Sequence, residues 1–117
     1  MATCKGTLDI VQKIVQSPNY PSNYPDGALC TWSIRTKLGN QIFLTVEKFN
    51  TETGDYLKIF DGRDSTAKTI GMIDGNPGHR SITLIGNELF LQFTSDVSGN
   101  KKGFLLRYTV KGAKHLK

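Results

Sequence analysis

Apolar and polar positions along this chain follow a period of two for most of its length, and helical spacing is scarce. Cys30, Trp32 and Ile34 alternate with Thr31, Ser33 and Arg35, while Ile42, Leu44 and Val46 make a second inward-facing row that Phe49 continues beyond an irregularity at Glu47-Lys48. Residues 81–84 and 88–93 alternate again, and Phe104, Leu106, Tyr108 and Val110 line one face of a closing segment. Successive side chains of a strand point to opposite faces, so this pattern predicts strands with one buried side. Leu8, Ile10 and Ile14 predict a first strand or strand pair, Tyr56 to Phe60 a short strand, and Ile70 with Ile73 another. Between them stand turn formers: Leu38-Gly39-Asn40, Glu52-Thr53-Gly54-Asp55, Asp61-Gly62 as a tight turn, Gly75-Asn76-Pro77-Gly78, Gly86-Asn87 as a hairpin turn, and the loop 95–103.

Eight to ten short strands at this spacing predict an all-β, antiparallel sandwich of jelly-roll-like type. Its expected core is Trp32, Ile34, Ile42, Leu44, Val46, Leu57, Ile59, Leu84, Leu89, Leu91, Phe93, Phe104, Leu106 and Tyr108. At 117 residues there is room for one domain, expected over residues 4–110, with a basic tail at 111–117. No apolar run approaches the roughly 18 residues of a membrane span. Met1-Ala2-Thr3 brings no apolar leader, as expected of a module excised from a larger protein.

Charge adds one feature. The net charge is +5, and Lys101, Lys102, Arg107, Lys111, Lys114 and Lys117 all lie in the C-terminal part. Such an end could bind sulfated glycans or other polyanions, or simply be solvated. The aromatic interleaving of a nucleic-acid stacking surface is absent, so no nucleic-acid partner is expected. Catalysis has no support either: His79 follows a Pro-Gly turn, His115 sits in the tail, and neither a Gly-x-Ser-x-Gly elbow nor a phosphate loop occurs. Cys4 and Cys30 leave no odd thiol. A disulfide between them would contribute very roughly 3 kcal/mol and would place the chain in an oxidising compartment; two buried free thiols are the alternative.

The stretch Ser17 to Trp32, SPNYPSNYPDGALCTW, is the most distinctive. Pro18, Pro21 and Pro25 fix their own φ and restrict the residues before them, so residues 19–26 are expected to run as a stiff, non-helical arm that delivers Cys30 and Trp32 to a strand. SPNYPSNYP followed by Cys-x-Trp-x-Ile resembles the signature of the CUB domain family, an extracellular β-sandwich module. The resemblance extends over nearly the whole chain: Cys4 with Gly6, Ile42-x-Leu44-x-Val46-x-x-Phe49-x-x-Glu52, Asp55-Tyr56-Leu57-Lys58-Ile59-Phe60-Asp61-Gly62, Leu91-Gln92-Phe93-Thr94-Ser95-Asp96, Gly103-Phe104 and Tyr108. It departs in two places. The second disulfide of many CUB domains has no counterpart, Gly54 or its neighbours and Asp74 standing where its cysteines would be, and the loop from Glu52 to Asp55 is short. The chain is therefore similar to a one-disulfide variant.

The resemblance implies an extracellular, non-enzymatic module that recognises proteins, in many members through calcium. Carried over, it assigns Glu52, Asp55 and Asp96 as calcium ligands, with a backbone carbonyl near Ser98, and Tyr24 orienting Glu52 through its hydroxyl. The partner would be an extracellular protein presenting an exposed Lys or Arg to these acids. Calcium takes six to eight oxygens from carboxylates, carbonyls and water, and carboxylates facing one another without a cation would repel. If the short loop shifts register, Glu47 is the substitute ligand. Each residue also has a plainer role: Asp55 as a turn bridge, Asp96 in an Asx-turn, Glu52 as a solvated carboxylate, Tyr24 as packing. The alternative function is calcium-independent binding of sulfated glycans through Lys101, Lys102, Arg107, Lys111 and Lys114. A structural spacer module of an extracellular protease is a distant third.

Overall fold

The computed structural model describes residues 2–3, 7–84, 86–96 and 101–112. They form ten strands: β1 (Ala2–Thr3), β2 (Thr7–Asp9), β3 (Ile14–Gln16), β4 (Ala28–Arg35), β5 (Gln41–Asn50), β6 (Tyr56–Asp61), β7 (Lys68–Ile73), β8 (Arg80–Leu84), β9 (Glu88–Thr94) and β10 (Gly103–Lys111). Two five-stranded sheets, ordered β1-β4-β9-β6-β7 and β2-β3-β10-β5-β8, pack face to face, and every pairing except β1 with β4 is antiparallel. The period-two rows become the inner faces. On β4, Ala28, Cys30, Trp32 and Ile34 are buried while every intervening side chain is exposed. Trp32 meets Phe104 edge-on at 5.8 Å between ring centres, and Phe104 in turn stacks on Phe49 at 5.5 Å, tying the two sheets together. All the expected core residues are buried there except Leu84, whose side chain is outside the described set.

The irregularity expected at Glu47-Lys48 is a β-bulge. Leu105 pairs with Lys48 and Leu106 with Val46, so Glu47 is the extra residue and the inward row resumes at Phe49. Three expectations are corrected. Gly86-Asn87 is not a hairpin turn: β8 pairs with β5 and β9 with β4 and β6, so the two strands on either side of it lie in different sheets. Ile10 is 70% exposed in a turn, because β2 ends at Asp9. Asp61 belongs to β6, and β6 and β7 are joined by residues 62–67 rather than a tight turn. The proline segment is non-helical, as expected, and residues 17–22 form two turns. Tyr20 N–H bonds to the Ser17 carbonyl and Ser22 N–H to that of Asn19, with Asn19 at φ +68°, a conformation Asn tolerates. The Tyr20-Pro21 bond is cis.

These pairings gather four connections at one end of the sandwich. They are the proline segment between β3 and β4, the short loop between β5 and β6, the β7–β8 loop, and the link from β9 to β10.

Candidate functional site

The loop-rich end is built around one carboxylate. Asp55 stands just before β6 and is fully buried. Its Oδ2 accepts a 2.6 Å hydrogen bond from the hydroxyl of Tyr24, and its Oδ1 accepts one of 3.0 Å from the backbone N–H of Asp96. The Tyr24 hydroxyl also accepts from the Glu52 backbone N–H at 2.9 Å. Tyr24 is itself fully buried, edge-on to Phe93 at 5.1 Å, and its N–H reaches the Lys101 carbonyl at 3.1 Å. Burial, and next the hydrogen bond to Asp55, push the Tyr24 phenol well above its ordinary value. One tyrosine thus joins the proline segment, the β5–β6 loop and the link into β10.

Glu52, Asp55, Asp96 and Tyr24 therefore meet at one end, though not as the family resemblance implied. Tyr24 does not orient the Glu52 carboxylate; its hydroxyl holds the Asp55 carboxylate and takes only the main chain of Glu52. The reason is the short loop. Asp55 N–H bonds back to the Glu52 carbonyl at 3.0 Å, which turns the Glu52 backbone towards Tyr24. The Glu52 carboxylate is partly exposed and stands 3.9 Å from Lys101 Nζ. Among the described residues no three His, Cys, Asp or Glu side chains are grouped to hold a metal ion as they stand. Ser98 and Cys4 lie outside the described residues, as do Lys114, Lys117 and His115.

Sequence reasoning missed what holds the short loop. Thr51, only 3% exposed, donates its hydroxyl to the Asp55 carbonyl at 3.0 Å and accepts the Gly75 N–H at 2.9 Å, while Thr51 N–H bonds to the Gly75 carbonyl at 2.9 Å. Gly54 N–H bonds to Asp74 Oδ2 at 2.9 Å. Residues 51–55 are thus tied to 74–75 by hydrogen bonds. Neither the Gly54–Asp74 bond nor the role of Thr51 was expected, the latter having no signal beyond its position beside Glu52. On the other flank, Ser95 Oγ accepts the Ala28 N–H and donates to the Pro25 carbonyl, and Gly27 N–H bonds to the Asp96 carbonyl.

Of the cations assigned to the alternative function, three of those described are already engaged. Lys101 is drawn to Glu52, Arg107 Nε lies 3.0 Å from Glu47, and Lys111 sits 5.7 Å above the ring of Phe43. Lys111 also closes β10 rather than opening a tail. Lys102 is exposed and lines a cleft with Tyr20, Glu47, Lys48 and His79. No helix among the described residues is long and apolar enough to cross a membrane.

Comparisons with known proteins agree with this architecture. The family model described as CUB domain matches residues 4–108. The dorsal-ventral patterning protein tolloid of Drosophila melanogaster is 34% identical over 106 residues, covering 86% of this chain and 10% of that protein. Tolloid-like protein 2 of Mus musculus is 33% identical, with 88% and 11% covered. The chain thus spans about a tenth of the length of these relatives. Among solved structures, the MASP-1 CUB2 domain bound to Ca2+ superposes with a TM-score of 0.73 at 29% identity, covering 81% of this chain and 88% of that one. The extracellular region of zebrafish Gpr126/Adgrg6 gives 0.78 at 26% identity, covering 95% and 15%.

Proposed function

The chain belongs to the CUB domain family, and from that premise we propose that it is an extracellular binding module that recognises a partner protein through calcium held at its loop-rich end. CUB domains are in general non-catalytic modules. The observation that carries the calcium reading is Asp55: a fully buried carboxylate that forms no ion pair among the described residues. Two donated hydrogen bonds soften that burial, but a buried charge is ordinarily matched by an opposite charge or a metal. Calcium's preference for carboxylate and carbonyl oxygens fits this donor set, and the solved MASP-1 CUB2 domain is one with the ion bound.

Asp55, Glu52 and Asp96 would hold the ion, with the Ser98 carbonyl and water completing it. When bound, calcium supplies the positive charge that lets three carboxylates stand together. Tyr24 fixes the Asp55 carboxylate by its hydroxyl, the Thr51–Gly75 bonds hold the loop in place, and Glu52 gives up Lys101. The outer oxygens of Glu52 and Asp96 would then receive a Lys or Arg of the partner, a charge-assisted contact. Cys4 and Cys30 would form the single disulfide; Cys30 is buried, and no free cysteine occurs among the described residues. The domain would run from residue 4 to the end of β10 at Lys111, followed by a basic tail, within a secreted protein whose other parts supply any catalysis.

The test is thermal melting of the oxidised domain in millimolar calcium and in excess chelator, alongside Glu52→Gln and Asp96→Ala. Calcium at a hundred times its dissociation constant should add about 2.7 kcal/mol. The shift should shrink or vanish in both variants. No shift in the folded wild-type domain rules the calcium site out.

A further inference from the structure

A cleft of about 270 Å³ opens beside the acidic loops and is not used by the calcium site. Its walls come from the end of β5, the β7–β8 loop, Tyr20 of the proline segment, and Lys102. The β-bulge shapes it. With Glu47 inserted as the extra residue, Glu47 and Lys48 both lie outside the inward row, and Lys48 is exposed at the cleft wall instead of being carried to the core face. Glu47 is the one acidic residue of the lining among the described residues, and it is engaged by Arg107 at 3.0 Å. Lys48 and Lys102 form no ion pair among the described residues, so they set the sign of the cleft.

The remaining lining is neither apolar nor simply charged. Asn50 and Asn76 present side-chain amides, each able to donate and accept, and neither is engaged in a hydrogen bond among the described residues. Tyr20 adds a half-buried aromatic ring and His79 an exposed imidazole. Unpaired ammonium groups suit a sulfate or carboxylate, free amides suit hydroxyl pairs, and an aromatic face suits the C–H face of a pyranose ring. The volume lies just under the roughly 300–1,000 Å³ of cavities for drug-sized ligands, which suits one sugar unit in an open-ended chain. An acidic peptide would use the lysines but leave the amides and the ring without work.

We propose that this cleft is a calcium-independent site for one anionic sugar unit of an extracellular glycan, with Lys48 and Lys102 taking the anionic substituent, Asn50 and Asn76 the hydroxyls, and Tyr20 the ring face. The location differs from a diffuse C-terminal basic patch, whose Lys101 and Arg107 are already paired with acids. The site stands whether or not the acidic loops bind calcium.

The experiment is titration of the folded, isotope-labelled domain with a heparin-derived tetrasaccharide, repeated with an unsulfated hyaluronan tetrasaccharide, each in calcium and in chelator. Amide shifts should centre on Tyr20, Lys48, Asn50, Asn76 and Lys102 in both media. Lys48→Gln combined with Lys102→Gln should weaken binding about tenfold or more, and Asn76→Ala by a smaller factor, while Lys111→Gln should change it less than about twofold. Binding of the heparin fragment alone assigns the site to sulfate; binding of both assigns it to any anionic sugar. Absence of binding by either sugar to the folded wild type overturns the proposal. So does binding that needs calcium, or that responds to Lys111→Gln as strongly as to the double variant.

Discussion

The hydroxyl of Tyr24 donates to Asp55 Oδ2 at 2.6 Å while accepting the Glu52 N–H at 2.9 Å, and all of this takes place between residues 28 and 31 positions apart in the chain. Removing it should cost more than one bond. Tyr24→Phe leaves a buried carboxylate oxygen without its donor and a loop N–H without its acceptor, so the domain should lose about 1–3 kcal/mol and melt several degrees lower. Scanning calorimetry in chelator checks this. An unchanged melting temperature would mean the loop carboxylate is solvated.

The same phenol predicts a pH dependence. Burial, then Asp55, raise its ionisation in the folded state above the ordinary 10.0, so the folded protein keeps a proton that the unfolded chain releases at about pH 10. The resulting stability is fully present below pH 10 and declines as pH rises towards the folded value, at about 1.4 kcal/mol per pH unit for one proton. Denaturant unfolding from pH 9 to 11 should therefore show a steeper loss for wild type than for Tyr24→Phe. Parallel profiles would show that Tyr24 ionises as it does in an unfolded chain.

Thr51 ties the short loop to the β7–β8 loop by hydrogen bonds. Thr51→Val keeps the shape but strands the Gly75 N–H and the Asp55 carbonyl, and should cost about 1–3 kcal/mol. Hydrogen exchange at Gly75 should quicken in the same variant. Asp74→Ala removes the exposed bond to Gly54, so it should quicken exchange at Gly54 while costing under about 1 kcal/mol.

At the proposed calcium site, Lys101 and the ion would compete for Glu52. The pair is partly exposed and its separation is 3.9 Å, so it contributes at most about 1 kcal/mol. Lys101→Ala should accordingly tighten calcium by up to about fivefold, read as a lower midpoint in calorimetric titration. Weaker binding in that variant would place Lys101 among the groups that support the loop.

Gly103 is required by its neighbours. It sits at φ +89°, and a Cβ there would run into Ser17 Oγ, the group that accepts the Phe104 N–H at 2.9 Å. Gly103→Ala should destabilise by more than about 1 kcal/mol. Gly112→Ala, where the nearest atom would be Asn40 Oδ1 at 3.6 Å, should stay within about 0.5 kcal/mol. Chemical denaturation of the two variants compares them directly.

Much of the fold was legible because it rests on a local property. Strand side chains alternate, so the inward rows on β4, β5, β9 and β10, and even the bulge at Glu47, show in the order of residues. Strand partnership does not. Gly86-Asn87 has the chemistry of a hairpin turn, yet β8 and β9 lie in different sheets, since each finds its partners far along the chain. The candidate site entered through the family resemblance, which named residue types and not their contacts. Which oxygen Tyr24 holds, and that Lys101 faces Glu52, depended on how the short loop turns back at Asp55.

The sequence alone determined the two-faced strands and the core they bury, because side-chain alternation acts over a few neighbours, whereas the grouping of Asp55, Glu52, Asp96 and Tyr24 came from the family resemblance. Only the tertiary structure decided that Thr51 and Asp74 tie residues 51–55 to residues 74–75, that Lys101 and Arg107 face acids, and that Lys48, Lys102, Asn50, Asn76 and Tyr20 share one cleft. Those juxtapositions join segments tens of residues apart, and their hydrogen bonds and charges act only once the two sheets have closed and brought the loop ends together.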